Sequence, residues 1–155
     1  KKFVSECVFF FFLEILIPME YVESSAERIS LYTELDHIKN EEGLNRFAKN
    51  ITDRFGKIPV QTEDLLNTIR LRWIARDLGF EKISLKNKTM TSYLISNQES
   101  EYYQTDTFMK IIRYAASNQR RCKVKESNGK NILYVDAVTN VREALNVLNN
   151  ISQGN

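Results

Sequence analysis

The sequence predicts an α+β domain: an N-terminal strand, a three-helix segment, then a largely antiparallel sheet with two further helices. Three observations carry this. Apolar residues recur at helical spacing from about residue 24 to Leu78. From Phe80 onward the period shortens, and Asn87-Lys88 and Asn128-Gly129 mark tight turns between strand-like runs. Strands joined as hairpins after a block of helices favour antiparallel pairing over a wound parallel sheet.

The elements follow in order. Residues 3–17 are rich in Phe, Val, Ile and Leu and read as one long strand ending before Pro18. Phe9 to Phe12 run consecutively, so a strand sends two rings to each face. The expectation is a strand covered on both sides; an exposed patch is the alternative. Ser24 with Glu27 has capping-box spacing for a first helix, whose inner face is read from Ile29, Tyr32, Leu35 and Ile38, extended by Leu31. Asn40 caps a second helix, with Glu41 and Glu42 in the first turn, where the helix dipole favours negative charge. Leu44, Phe47, Ala48, Ile51 and Phe55 mark its buried side. Gly56 supplies a left-handed stop, and Pro59 suits the first turn of the next helix. That third helix carries two apolar stripes, Leu66-Ile69-Trp73 and Leu71-Ile74-Leu78, and stops at Gly79.

Residues 81–87 and 89–96 read as strands, and 105–118 as a helix through Phe108, Ile111, Ile112 and Ala115. Residues 121–127 and 131–137 form the second hairpin, and a helix over about 139–152 uses Val141, Leu145 and Leu148. With 155 residues and no internal linker or repeat, residues 1–155 are expected to form a single domain. The chain starts at Lys1 without an initiator Met, so it is read as a fragment of a longer protein.

Composition excludes more than it assigns. Charged residues make up 27% and the formal charge is +2, too little to argue for nucleic acid alone. The two cysteines, Cys7 and Cys122, show no disulfide framework, which suggests a reducing, cytoplasmic setting. The apolar run near the start is too short to span a membrane and has no prompt cleavage site, so no membrane association is expected. The one His, His37, falls at the end of the first helix and reads as a cap or surface residue. No nucleophile elbow, zinc spacing or phosphate-cradling glycine loop occurs, so no catalytic residue, metal or cofactor is assigned to this domain.

The most informative stretch is Asn50 to Pro59. Phe55, Gly56 and Pro59 are structural residues of a corner between two helices, and the preceding Asp53 and Arg54 are left near the surface. The order Asp53-Arg54-Phe55-Gly56 with Pro59 resembles the C-terminal domain of bacterial transcription-repair coupling factors. So do Leu16-Ile17-Pro18-Met19-Glu20-Tyr21-Val22 with Arg28-Ile29-Ser30-Leu31-Tyr32 and Leu35, and Arg70-Leu71 leading through Ala75 to Leu78-Gly79-Phe80-Glu81-Lys82-Ile83. The resemblance covers roughly residues 13–83.

It implies a non-catalytic regulatory domain of a large ATP-driven DNA translocase. The motor, with its ATP and Mg²⁺, and the sites for RNA polymerase and DNA would belong to other domains of the parent. This domain would fold back on the UvrB-like module of the same chain and mask the surface that recruits UvrA. The implied contacts fall on Asp53 and Arg54, with Asn50 standing where the family has a further acidic residue. A second reading is a nucleic-acid-binding accessory module using the basic 120–125 strand, where Arg121, Lys123 and Lys125 would line one face beside Arg120, joined by the helix-three residues Arg70, Arg72 and Arg76. No aromatic residues interleave with the 120–125 stripe in sequence, and edge protection is its plainer explanation. A third, a small hydrolase or transferase whose site is built only by the fold, has no residues to name.

Overall fold

The structure is a computed structural model describing residues 2–11 and 16–154, with Phe11 by its backbone alone. Its elements are β1 (Val8–Phe11), α1 (Ser25–Asp36), α2 (Glu41–Phe55), α3 (Val60–Leu78), β2 (Lys82–Lys86), β3 (Thr89–Tyr93), α4 (Asp106–Ser117), β4 (Cys122–Ser127), β5 (Lys130–Asp136) and α5 (Val141–Ser152). A short 3₁₀ turn, Glu101–Gln104, precedes α4 and is absent from the sequence reading. The strands form one sheet in the order β1-β2-β3-β5-β4. Only β1 with β2 is parallel; the other pairs are antiparallel. This is the α+β architecture that the hairpin signals predict.

Backbone contacts divide the chain into a helical unit, Glu14–Arg70, and a sheet unit, Lys1–Leu13 with Leu71–Asn155. In the helical unit, Leu31 and Leu35 of α1, Leu44, Phe47 and Ile51 of α2, and Leu66 and Ile69 of α3 are buried. Ile29 is 66% exposed, so the inner face of α1 is narrower than its apolar spacing suggests. The segment before α1 is tied down by polar contacts: Tyr32 Oη accepts from Ile17 N at 2.7 Å, and the buried Thr62 hydroxyl donates to Leu16 O at 3.1 Å.

In the sheet unit, pairing register sorts the side chains. Phe9, Ile83, Ser92, Leu133 and Val124 form one row of the inner face. Leu85, Met90, Val135 and Cys122 form the next. Ile83, Leu85, Met90, Leu133 and Val135 join Leu71, Ala75, Leu78, Ile111, Tyr114, Leu148 and Ile151 in a continuous core. Both hairpin turns have two consecutive positive φ values, 53° and 61° at Asn87-Lys88 and 52° and 74° at Asn128-Gly129. That is the type I′ geometry whose twist matches paired strands.

Two expectations for the N-terminal strand are corrected. Strand pairing is limited to Val8–Phe11; residues 3–7 and 16–17 are not strand, and the rest of the expected strand, Phe12 included, lies outside the described residues. Nor is β1 covered on both faces. Phe9 is 7% exposed, whereas Val8 and Phe10 are 49% and 51% exposed. An aromatic run carries no alternation, so the sequence could not say that one face is open.

Candidate interaction surface

The helical corner is built by α2. Asn40 Oδ1 accepts from Gly43 N at 2.8 Å and starts the helix. Leu44, Phe47 and Ile51 turn inward, which leaves Asn50, Asp53 and Arg54 exposed on the outward side. Positions three and four apart on a helix are neighbours, so these three share a face. Asn50 also borders a shallow depression of about 500 Å³ with His37 and Arg46.

The helix end is locked by more than glycine. Gly56 N donates to Thr52 O at 2.9 Å, and Gly56 has φ 93° and ψ −165°. The positive φ agrees with the expected stop, but the extended ψ lies outside the left-handed helical well, in a region essentially closed to other residues. Tyr21 Oη donates to Gly56 O at 2.7 Å, and its ring meets Phe55 edge-on with centroids 5.9 Å apart. Burial, with the nearby Glu63 carboxylate, pushes the Tyr21 phenol above its usual range. Pro59 directly precedes α3, and its carbonyl accepts from Thr62 N and Glu63 N, both at 3.0 Å.

Arg54 is held from two sides. Its Nη2 donates to Glu27 Oε1 at 2.5 Å, and its guanidinium lies 4.7 Å from the Phe55 ring centroid. Both members of the ion pair are 41% exposed in their side chains. Ser24 Oγ accepts from Glu27 N at 3.2 Å, which is half of the expected capping box; the Glu27 carboxylate turns instead to Arg54. Asp53 has no hydrogen-bond or ion-pair partner among the described residues. Neither Tyr21 nor Glu27 could be placed at the corner from sequence, since both lie more than 25 residues away in the chain.

The other sequence candidates are placed as follows. Arg70 forms a two-pronged pair with Glu41, Nε to Oε1 at 2.9 Å and Nη2 to Oε2 at 2.8 Å, which lowers the Glu41 carboxyl below its usual range. Arg76 lies 3.4 Å from Asp77, and Arg72 Nε is buried with no hydrogen-bond partner among the described residues. Arg121 precedes β4 rather than lining it, and its guanidinium donates to Asp136 O and Ala137 O at 2.7 and 3.0 Å. Lys123 and Lys125 are exposed on β4, an edge strand. His37 caps α1, with Nδ1 2.8 Å from Thr33 O. Cys7 sits just before β1, and desolvation pushes its thiol from 9.0 up to about 12, outweighing the nearby Arg72 charge. Both cysteines are free and buried. Among the described residues no cluster of His, Cys, Asp or Glu could hold a metal ion, and no helix is long and apolar enough to cross a membrane.

Comparison with known proteins gives this surface a context. The transcription-repair-coupling factor of Rickettsia prowazekii (strain Madrid E) is 25% identical over 137 residues, covering 86% of this chain and 12% of that protein. That of Staphylococcus epidermidis (strain ATCC 12228) is 27% identical over 112 residues, covering 68% of this chain and 10% of that protein. The chain thus spans about a tenth of the length of these relatives. The crystal structure of a C-terminal domain of transcription-repair coupling factor matches with a TM-score of 0.77 at 14% identity, over 96% of this chain and 93% of that one, and so shares its fold. A family model described as TRCF domain matches residues 12–105. With the helical corner and the sheet both accounted for, the chain belongs to the TRCF domain family of transcription-repair coupling factors.

Proposed function

We propose that this chain is a non-catalytic, autoinhibitory domain of a transcription-repair coupling factor, docking on the UvrB-like module of the same protein and masking the surface that recruits UvrA. In this reading ATP and Mg²⁺, RNA polymerase and DNA are handled by other domains of a cytoplasmic translocase.

The observation that carries the proposal is the exposed trio Asn50, Asp53 and Arg54 beside a corner fixed by Gly56 and Tyr21. Asp53 is free to accept, and Arg54 is already oriented by Glu27 and Phe55. Pre-ordering lowers the entropy lost on docking. A guanidinium has five donors, so Arg54 can take a second carboxylate while keeping Glu27. Asn50 offers a neutral amide where the family resemblance implies an acid. Exposed ion pairs contribute about 0–1 kcal/mol each, but a tether raises effective concentration to the millimolar range, so weak contacts suffice.

The test is competition. The domain, added in trans, should displace UvrA from a UvrB-like module, and the double variant Asp53→Ala/Arg54→Ala should do so several-fold less well. Equal competition by the folded double variant would remove the corner from the mechanism.

A further inference from the structure

We propose that the outward face of the sheet is a platform for single-stranded nucleic acid. This goes beyond the masking reading and uses none of its residues.

The face is assembled by register. One row across the sheet reads Val8, Lys82, Tyr93, Ile132, Lys125; the next reads Phe10, Ser84, Thr91, Tyr134, Lys123. Phe10, Lys123 and Lys125 are exposed, and Tyr93 and Tyr134 are half-buried, although the opposite face is fully packed. Lysine and aromatic side chains alternate in space. Lys82 Nζ lies 4.6 Å from the Tyr93 centroid and 5.5 Å from that of Phe10. Lys130 Nζ lies 5.8 Å from Tyr93, and Lys123 Nζ 5.7 Å from Tyr134. Asp136 is the acidic residue in register at one end, where its carboxylate accepts from Thr89 Oγ1 at 3.2 Å.

Charge complementarity selects the occupant. Lysines alone would fit any polyanion. Rings set among them fit a polyanion that also carries flat unsaturated groups, which a strand of unpaired bases does. Tyr134 and Phe10 lie three strands apart, roughly 14 Å by ordinary strand spacing. The small side chains of Ser84 and Thr91 lie between them and leave the intervening surface low. The rings that now hold ammonium groups through their quadrupole can take base faces instead, while the freed lysines move to phosphates. Duplex DNA hides its base faces and would gain only the lysine contacts.

The experiment uses the full 155-residue chain and three probes at low salt: a labelled oligothymidylate, a duplex of equal length, and polyglutamate as competitor. The single strand should bind best, and polyglutamate should compete poorly. Tyr93→Leu should weaken binding about tenfold, and Tyr134→Leu by a similar factor, since each removes one stacking partner. Leucine keeps apolar cover over the buried Ile132, and circular dichroism verifies the fold. Should either leucine variant unfold, the exposed pair Lys123→Gln/Lys125→Gln serves alone; it should lower the slope of log affinity against log salt by about 0.7 per charge. Asp53→Ala/Arg54→Ala should bind like the parent chain, which separates this proposal from the masking role. Equal binding of polyglutamate, equal binding of duplex, unaltered binding by the folded leucine variants, or no binding of oligothymidylate would each overturn it.

Discussion

Helices α2 and α3 each end at a glycine of positive φ, and a tyrosine hydroxyl reaches each end. At the close of α2, Gly56 is exposed, an added Cβ would meet nothing within 4 Å, and Tyr21 Oη bonds Gly56 O. At the close of α3, Gly79 is buried, an added Cβ would lie 2.2 Å from the Tyr102 ring, and Tyr102 Oη donates to Leu78 O at 2.6 Å. The bonding at the ends differs too. α3 finishes with Phe80 N on Ala75 O and Gly79 N on Arg76 O, the paired bonds of a Schellman motif, while Gly56 closes with the bond to Thr52 O and an extended ψ. In sequence the two stops look alike. One holds a surface in place, and the other lets an aromatic ring lie directly on backbone inside a core.

Three measurements would break or sharpen that contrast. The largest effect is expected for Gly79→Ala. A Cβ in the Tyr102 ring forces the core apart at a residue with φ 91°, and the loss should be about 3–5 kcal/mol in denaturant melts. A loss below about 1 kcal/mol would mean that the corner can yield.

The tyrosine pair comes next. Tyr102→Phe leaves a buried carbonyl short of a donor and should cost about 1–3 kcal/mol; Tyr21→Phe, half-exposed, should cost no more than about 1 kcal/mol. Burial raises the Tyr102 phenol above its ordinary 10.0, so the unfolded chain releases that proton first. The stability it contributes is whole below pH 10 and is lost as pH climbs past it. Tyr102→Phe should therefore flatten the alkaline fall in stability more than Tyr21→Phe does. Equal costs, or equal slopes, would erase the distinction between the corners.

Of the two glycines the smaller effect is expected for Gly56→Ala, about 1–2 kcal/mol, entirely from backbone strain since the space is open. Its more telling consequence is in competition with UvrA, where a loosened corner should dock less well than its stability change accounts for. A variant that loses stability but competes normally would show that rigidity at Gly56 is not used for docking.

How much could be read in advance varies by element, for a consistent reason. The caps Ser24 and Asn40 and the I′ turns at Asn87-Lys88 and Asn128-Gly129 act within a few residues of themselves. The surface positions of Asp53 and Arg54 at the end of α2 were equally legible, whereas Asn50 was named through the resemblance alone. The partners that hold Arg54 and Gly56 were not, because Glu27 and Tyr21 arrive from a distant part of the chain. β1 was read as too long and covered on both faces, since Phe9 to Phe12 offer no polar alternation to mark an open side.

From the residues alone came the order of elements, the antiparallel hairpins, the glycine stops, the resemblance to transcription-repair coupling factors and the lack of catalytic motifs. All of these rest on short-range sterics, hydrogen bonding or motif order. Only the tertiary structure decided that Gly79 sits under a ring, that Arg54 answers to Glu27, and that Phe10, Lys82, Tyr93, Tyr134 and Lys123 share one open face. Those neighbours come from strands far apart in the chain, and pairing register, a property of the whole sheet, is what brings them together.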